Sequence, residues 1–253
     1  TWTVAKVPKQ NSIWVQIDGY DDDPLIPQPP MPYLARIDFD TNKTYIYKLP
    51  FGGRGCLLYY NGSLWDLASD YLFQINPYNE TLVKSIEVPG LAGWMVPDGD
   101  YLWITRTAVR TGLPYSISRV YRYNIRTGTL EIITEDVVRA LGIDIDENYV
   151  YVAENYYEGC HAPPDYPKDN ITIYRIDKTT LKGERIILKA QRSYMGAYHV
   201  LIDSFKNFWW TDNSFQIGVV TADGITKVMS ATKYCYFMAE LPPIRHLTLT
   251  PTI

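Results

Sequence analysis

The stretch His199-Val200-Leu201-Ile202-Asp203-Ser204-Phe205-Lys206-Asn207-Phe208-Trp209-Trp210-Thr211-Asp212-Asn213 decides the fold. It reads as an apolar strand, an Asp-Ser turn, and a second strand that carries an aromatic pair and ends on Asp-Asn. A second copy runs from Leu141-Gly142-Ile143-Asp144-Ile145-Asp146 into Tyr149-Val150-Tyr151-Val152-Ala153-Glu154-Asn155.

Working outward, the same unit recurs along the chain. Second-strand aromatics fall at Trp14, Trp65, Trp103, Tyr151 and Trp209, each after Ile, Leu, Val or Phe. A third strand closes with Ile37-Asp38, Ile75-Asn76, Tyr123-Asn124, Ile176-Asp177 and, more weakly, Val219-Val220. Asp and Asn suit that place because their side chains bond the backbone of the turn they open. A fourth strand alternates, as in Thr44-Tyr45-Ile46-Tyr47-Lys48-Leu49. Strands about every 8–12 residues, with almost no helical periodicity, predict an all-β chain. A unit of roughly 40–50 residues with four strands predicts a β-propeller.

Units begin near Ser12, Cys56, Gly93, Leu141 and His199, and a partial sixth begins near Tyr234. Residues 1–8 resemble a fourth strand, since Ala5-Lys6-Val7-Pro8 parallels Glu87-Val88-Pro89. The expectation is one domain over residues 1–253, a six-bladed β-propeller whose last blade is completed by the N-terminal strand. A two-sheet β-sandwich is the competing architecture.

Composition narrows the function classes. Of 253 residues, 46% are hydrophobic and 21% charged, too apolar for a disordered chain. The formal charge of −4, without basic runs, argues against a nucleic-acid partner. No apolar run approaches the roughly 20 residues of a membrane-spanning helix. Three cysteines exclude a disulfide scaffold. The chain leans instead on 22 tyrosines.

The two quoted blades resemble the repeat of the NHL, SMP-30/gluconolactonase and streptogramin-lyase propellers. That resemblance implies the fold; it does not assign an activity, because such repeats serve enzymes, adhesins and scaffolds alike.

Propeller topology puts connections between strands two and three, and between blades, on one face. The long insertions at residues 18–32, 106–116 and 155–169 all belong there, and loops of that length are usually functional. Tyrosines outside the repeat gather in or beside them. They make a candidate binding face of Tyr20, Tyr33, Arg106, Arg110, Tyr115, Tyr156, Tyr157, Tyr166, Tyr194 and Tyr198. Sequons at Asn42, Asn61, Asn79 and Asn170 are candidate N-glycosylation sites, three of them at hairpin tips on the opposite face.

Polar strand ends ring the expected channel mouth on the long-loop face: Asp18, Arg54, Asp70, Trp94, Arg106, Glu154, Asn155, His199, Asp212 and Asn213. The SMP-30 resemblance implies a Glu/Asn/Asp calcium set matching Glu154, Asn155 and Asp212. A hard cation of that kind takes about six to eight oxygens. Ala68 and Arg106 stand where further ligands belong, which opposes it. The competing reading makes these residues caps that bond neighbouring blades. A lyase or lactonase of this type would use His199 as base beside Glu154 or Asp212. Cys160 and Cys235 form a possible loop disulfide, leaving Cys56 a buried thiol.

The expected function is an extracellular, glycosylated binding or scaffold module on a cell or virion surface, without metal or catalytic residues. Its partners are a surface protein or a glycan, with self-association as an option. The alternatives are a calcium-dependent lactonase or lyase using His199, Glu154 and Asp212, and a repeating subunit of a filament or capsid.

Overall fold

The computed structural model describes residues 3–17, 33–48, 55–90, 93–109, 117–156, 162, 164–167, 170–188, 196–212, 216–221 and 226–230. Every described strand belongs to one of five four-stranded antiparallel sheets, each ordered as in the sequence. Sheet one holds Val4–Lys6, Ser12–Ile17, Tyr33–Asp38 and Lys43–Lys48. Sheet two holds Leu57–Tyr60, Ser63–Ala68, Tyr71–Asn76 and Thr81–Glu87. Sheet three holds Met95–Asp98, Tyr101–Val109, Ile117–Asn124 and Leu130–Thr134. Sheet four holds Ala140–Ile145, Tyr149–Glu154, Ile171–Asp177 and Gly183–Leu188. Sheet five holds Ala197–Ile202, Phe208–Asp212, Gln216–Val220 and Thr226–Ser230.

The turn chemistry behaves as the Asp/Asn pattern predicts. Asp38 Oδ1 accepts the Asp40 and Thr41 amides, and Asn124 Oδ1 accepts those of Arg126 and Thr127. Asn76 and Asp177 repeat the device with Tyr78 and Asn79, and with Thr179 and Thr180. Each carboxylate or amide thereby fixes its hairpin and the register of the fourth strand.

The N-terminal segment departs from expectation. Val4–Lys6 pairs antiparallel with Ser12–Ile17, with Ala5 opposite Trp14. It is the first strand of sheet one, so that sheet begins at Val4 and not near Ser12, and the strand does not complete a last blade. A tight turn is the reason: Lys9 takes a left-handed φ of 64° and the Gln10 amide donates to Val7 O. Ala5 and Val7 then fall on the apolar side of the sheet.

The core is a series of layers between successive sheets. Trp14 packs among Leu57, Leu64 and Phe73 of sheet two, and Trp65 among Leu102, Tyr121 and Tyr123 of sheet three. Trp103 meets Ile143, Val150 and Tyr174 of sheet four, and Tyr151 meets Val200 and Trp210 of sheet five. Thus the recurrent aromatic faces the next sheet, as inter-blade packing requires. Its polar end always returns to its own first hairpin. Trp65 Nε1 donates to Tyr60 O, Trp103 Nε1 to Asp98, Tyr151 Oη to Asp146 and Trp209 Nε1 to Asp203. In sheet five the fully buried ring is Trp210, packed on Gly218, while Trp209 is half-buried.

The third strands carry a device the sequence reading missed. Arg36, Arg122 and Arg175 lie opposite Trp14, Trp103 and Tyr151. Their guanidinium carbons sit 4.5, 4.7 and 4.6 Å from the ring centres of Tyr45, Tyr101 and Tyr149. Cation–π contact holds each cation across the sheet.

Candidate functional site

Glu154 ends the second strand of sheet four and faces sheet three, with no solvent exposure. Its Oε1 accepts the Val138 amide at 2.8 Å, from the crossover that links the two sheets. Arg185, on the outer strand, holds both oxygens: Nε lies 3.0 Å from Oε2 and Nη2 3.1 Å from Oε1. Arg185 also donates to Asp136 O, tying the outer strand to the same crossover. Burial pushes the Glu154 carboxyl up to about 7, against the pull of the guanidinium and the amide.

The neighbouring strand ends are committed in the same way. Asn155 Oδ1 accepts from Arg139 at 2.7 Å, and Asp212 Oδ1 accepts the Gln216 amide at 2.9 Å. Between sheets one and two, Gln16 Nε2 donates to buried Asp66 Oδ1 at 2.8 Å. Thr105 Oγ1 donates to Leu141 O at 2.5 Å, joining sheets three and four. The Gln16–Asp66 and Thr105–Leu141 bonds cross between sheets, as the competing reading of polar strand ends expects, while Asp212–Gln216 stays within sheet five.

A calcium ion does not fit the set Glu154, Asn155 and Asp212 as arranged. The Glu154 oxygens and Asn155 Oδ1 face guanidinium groups, which would repel the ion, and Glu154 and Asp212 lie in different sheet interfaces. Among the described residues no three His, Cys, Asp or Glu side chains converge.

His199 lies against the first strand of sheet four, where a Cβ on Gly142 would stand 2.7 Å from the His199 Cα. Burial lowers the imidazole to about 4, far from the range in which a general base works at neutral pH. Beside it, the Trp94 ring of sheet three meets the Tyr198 ring of sheet five edge-on, with centroids 5.8 Å apart. The two aromatics bridge over sheet four.

The binding-face residues divide. Arg106 is fully buried and Tyr166 is 6% exposed, so neither offers the surface expected of it. A continued second strand explains Arg106: after a register shift the strand runs on to Val109. Tyr166 stacks on half-buried Tyr156 at 5.9 Å. Tyr33 opens the third strand of sheet one. Asp18, Tyr20, Arg54, Arg110, Tyr115, Tyr157, Tyr194, Asn213 and the pair Cys160–Cys235 lie outside the described residues, as does the unit expected near Tyr234. Cys56 is a free, buried thiol. Asn42, Asn61 and Asn79 are exposed at hairpin tips, and Asn170 is half-buried before the third strand of sheet four.

A cleft of about 510 Å³, not anticipated from sequence, runs along the outer strand of sheet four. Tyr166, Tyr174 and Arg185 line it, together with Glu135, Asp136, Asp165 and Glu184. Its walls come from the 135–138 crossover, the 165–167 segment and the outer strand. No local motif marks such a place.

No family model matches the chain, and no curated protein matches it. A solved structure of regucalcin, a calcium-binding protein from Agrobacterium tumefaciens, superposes on 91% of this chain and 74% of its own, with a TM-score of 0.57 and 15% identity. The likeness is one of fold. It makes the five sheets blades of a β-propeller whose fold resembles that of the SMP-30/gluconolactonase group.

Proposed function

We propose that the chain is an extracellular, glycosylated β-propeller that binds a surface protein or glycan, as a recognition or scaffold module. The observation that carries this reading is the engagement of Glu154 by Arg185 of its own blade and by the Val138 amide of the crossover from blade three, which occupies both oxygens of the best candidate metal ligand. The cleft along blade four supplies a recognition surface whose carboxylates, Glu135, Asp136, Asp165 and Glu184, accept from hydroxyl and N–H donors. Exposed sequons at Asn42, Asn61 and Asn79 support a sugar-bearing hairpin face. Six blades are part of the same reading. Among the described residues, apolar layers join blades one to two, two to three, three to four and four to five.

Binding of natively sourced protein to a glycan array and to surface extracts tests the proposal. Binding that Asp165→Lys abolishes, with glycan mass above the bare 29.2 kDa chain, supports it. A bare mass together with no binding contradicts it.

The calcium-binding propeller neighbour supports a second reading, a metal-dependent lactonase or lyase. Calcium-dependent turnover of lactones, lost in His199→Ala, would establish that reading instead.

A further inference from the structure

Arg106 holds the strand-end position in blade three that Glu154 holds in blade four and Asp212 in blade five. Its side chain is fully buried, and Nε, Nη1 and Nη2 all lack a hydrogen-bond partner. Five N–H donors have left water without replacement, a cost that proteins rarely leave standing.

The surroundings add to the cost. Arg119 lies directly opposite Arg106 on the neighbouring strand. Side chains so placed share one face of the sheet, with Cβ atoms about 5 Å apart, and like charges there repel. Arg119 is itself satisfied, by Glu135 at 2.5 Å and the Tyr121 hydroxyl at 3.4 Å. Asp70 is the nearby acid, but its Oδ1 accepts the Gly90 amide at 2.7 Å, and no ion pair joins it to Arg106. The Gly90 backbone passes so close that a Cβ there would stand 2.7 Å from the Arg106 Cβ. The Gly90 end of the crossover therefore packs against the Arg106 side chain between blades two and three.

We propose that Arg106 anchors an internal oxyanion site between blades two and three, one that takes a carboxylate or phosphate group. A planar guanidinium presents paired donors in the spacing of such oxygens, and charge-assisted bonds of this kind are the strong ones. A negative group there would also screen Arg106 from Arg119. The site is independent of the cleft and of the strand-end joints.

The test uses the whole chain dialysed into chloride, with inorganic phosphate and malonate as probes and sodium chloride at matched ionic strength as control. The thermal midpoint should rise saturably with at least one oxyanion and not with chloride. The probe with the larger rise distinguishes a phosphate from a carboxylate ligand. Arg106→Lys, which keeps the charge and loses the fork, should weaken binding about tenfold. Arg106→Leu should abolish it, while Arg126→Gln, at a 76% exposed arginine, should leave it intact. A wild-type chain with no saturable response overturns the proposal, and so does an undiminished response in Arg106→Leu. Should Arg106→Leu fail to fold, calorimetric titration of the wild type against Arg106→Lys decides: equal affinities overturn the proposal.

Discussion

The Arg185 guanidinium lies 3.0 Å from the Glu154 carboxylate and joins the outer strand of blade four to the end of its second strand. Glu154 is wholly buried while the Arg185 side chain keeps 25% exposure, so the carboxylate depends on its partner more than the reverse. Arg185→Met should destabilise the fold by about 3 kcal/mol near pH 8, because it strands a buried charge. The deficit should shrink toward pH 5, where the carboxyl takes up a proton and the charge disappears. Urea unfolding of both proteins at the two pH values checks this.

Asp66 gives a pH dependence of its own. Burial pushes its carboxyl from 3.8 up to about 7, with Gln16 as its hydrogen-bond donor. Between those values the folded chain keeps a proton that the unfolded chain has lost. The resulting stabilisation is complete at acid pH and is lost as pH rises through about 7. Asp66→Asn keeps the bond from Gln16 and removes the titration. It should match the wild type near pH 4 and exceed it by about 1–3 kcal/mol at pH 8. Stability curves across that range measure the difference.

Trp103 fills the layer between blades three and four, stacks near Arg122 at 5.4 Å and donates to Asp98. Trp103→Ala should cost about 3–5 kcal/mol through the cavity it leaves. Trp103→Phe, which loses the indole donor and part of the volume, should cost less than half of that. Denaturant midpoints rank the two.

Cys56 sits where blades two and three pack, and burial raises its thiol to about 11. The reactive species is the thiolate, so alkylation of the native chain should spare Cys56. Labelling, followed on the Cys56 peptide by mass spectrometry, should appear only as the chain unfolds.

The fold was legible because its signals are local and repeated. Asx turns such as Asp38 and Asn124 act within three residues, and one aromatic per unit marks the packing layer. What escaped the sequence depends on pairings that composition does not encode. Residues 1–8 look like a fourth strand, yet a left-handed Lys9 folds Val4–Lys6 onto the first blade. Glu154 and Asp212 look like ligands of one ion, but each faces the blade before its own, so they lie in different interfaces. Arg185, which holds both oxygens of Glu154, lies 31 residues away on an outer strand with no motif around it. Trp209 holds the recurrent aromatic position, yet the fully buried ring of that pair is Trp210, because adjacent residues face opposite sides of a sheet.

We propose that the Glu154 carboxylate serves as a structural joint at the crossover between blades three and four rather than as a metal ligand. Calorimetric titration of calcium into the wild type and Glu154→Gln, paired with their unfolding curves, tests it most directly. Destabilised Glu154→Gln with a calcium response identical to the wild type is the predicted result. Saturable calcium binding in the wild type that vanishes in a folded Glu154→Gln would contradict the account.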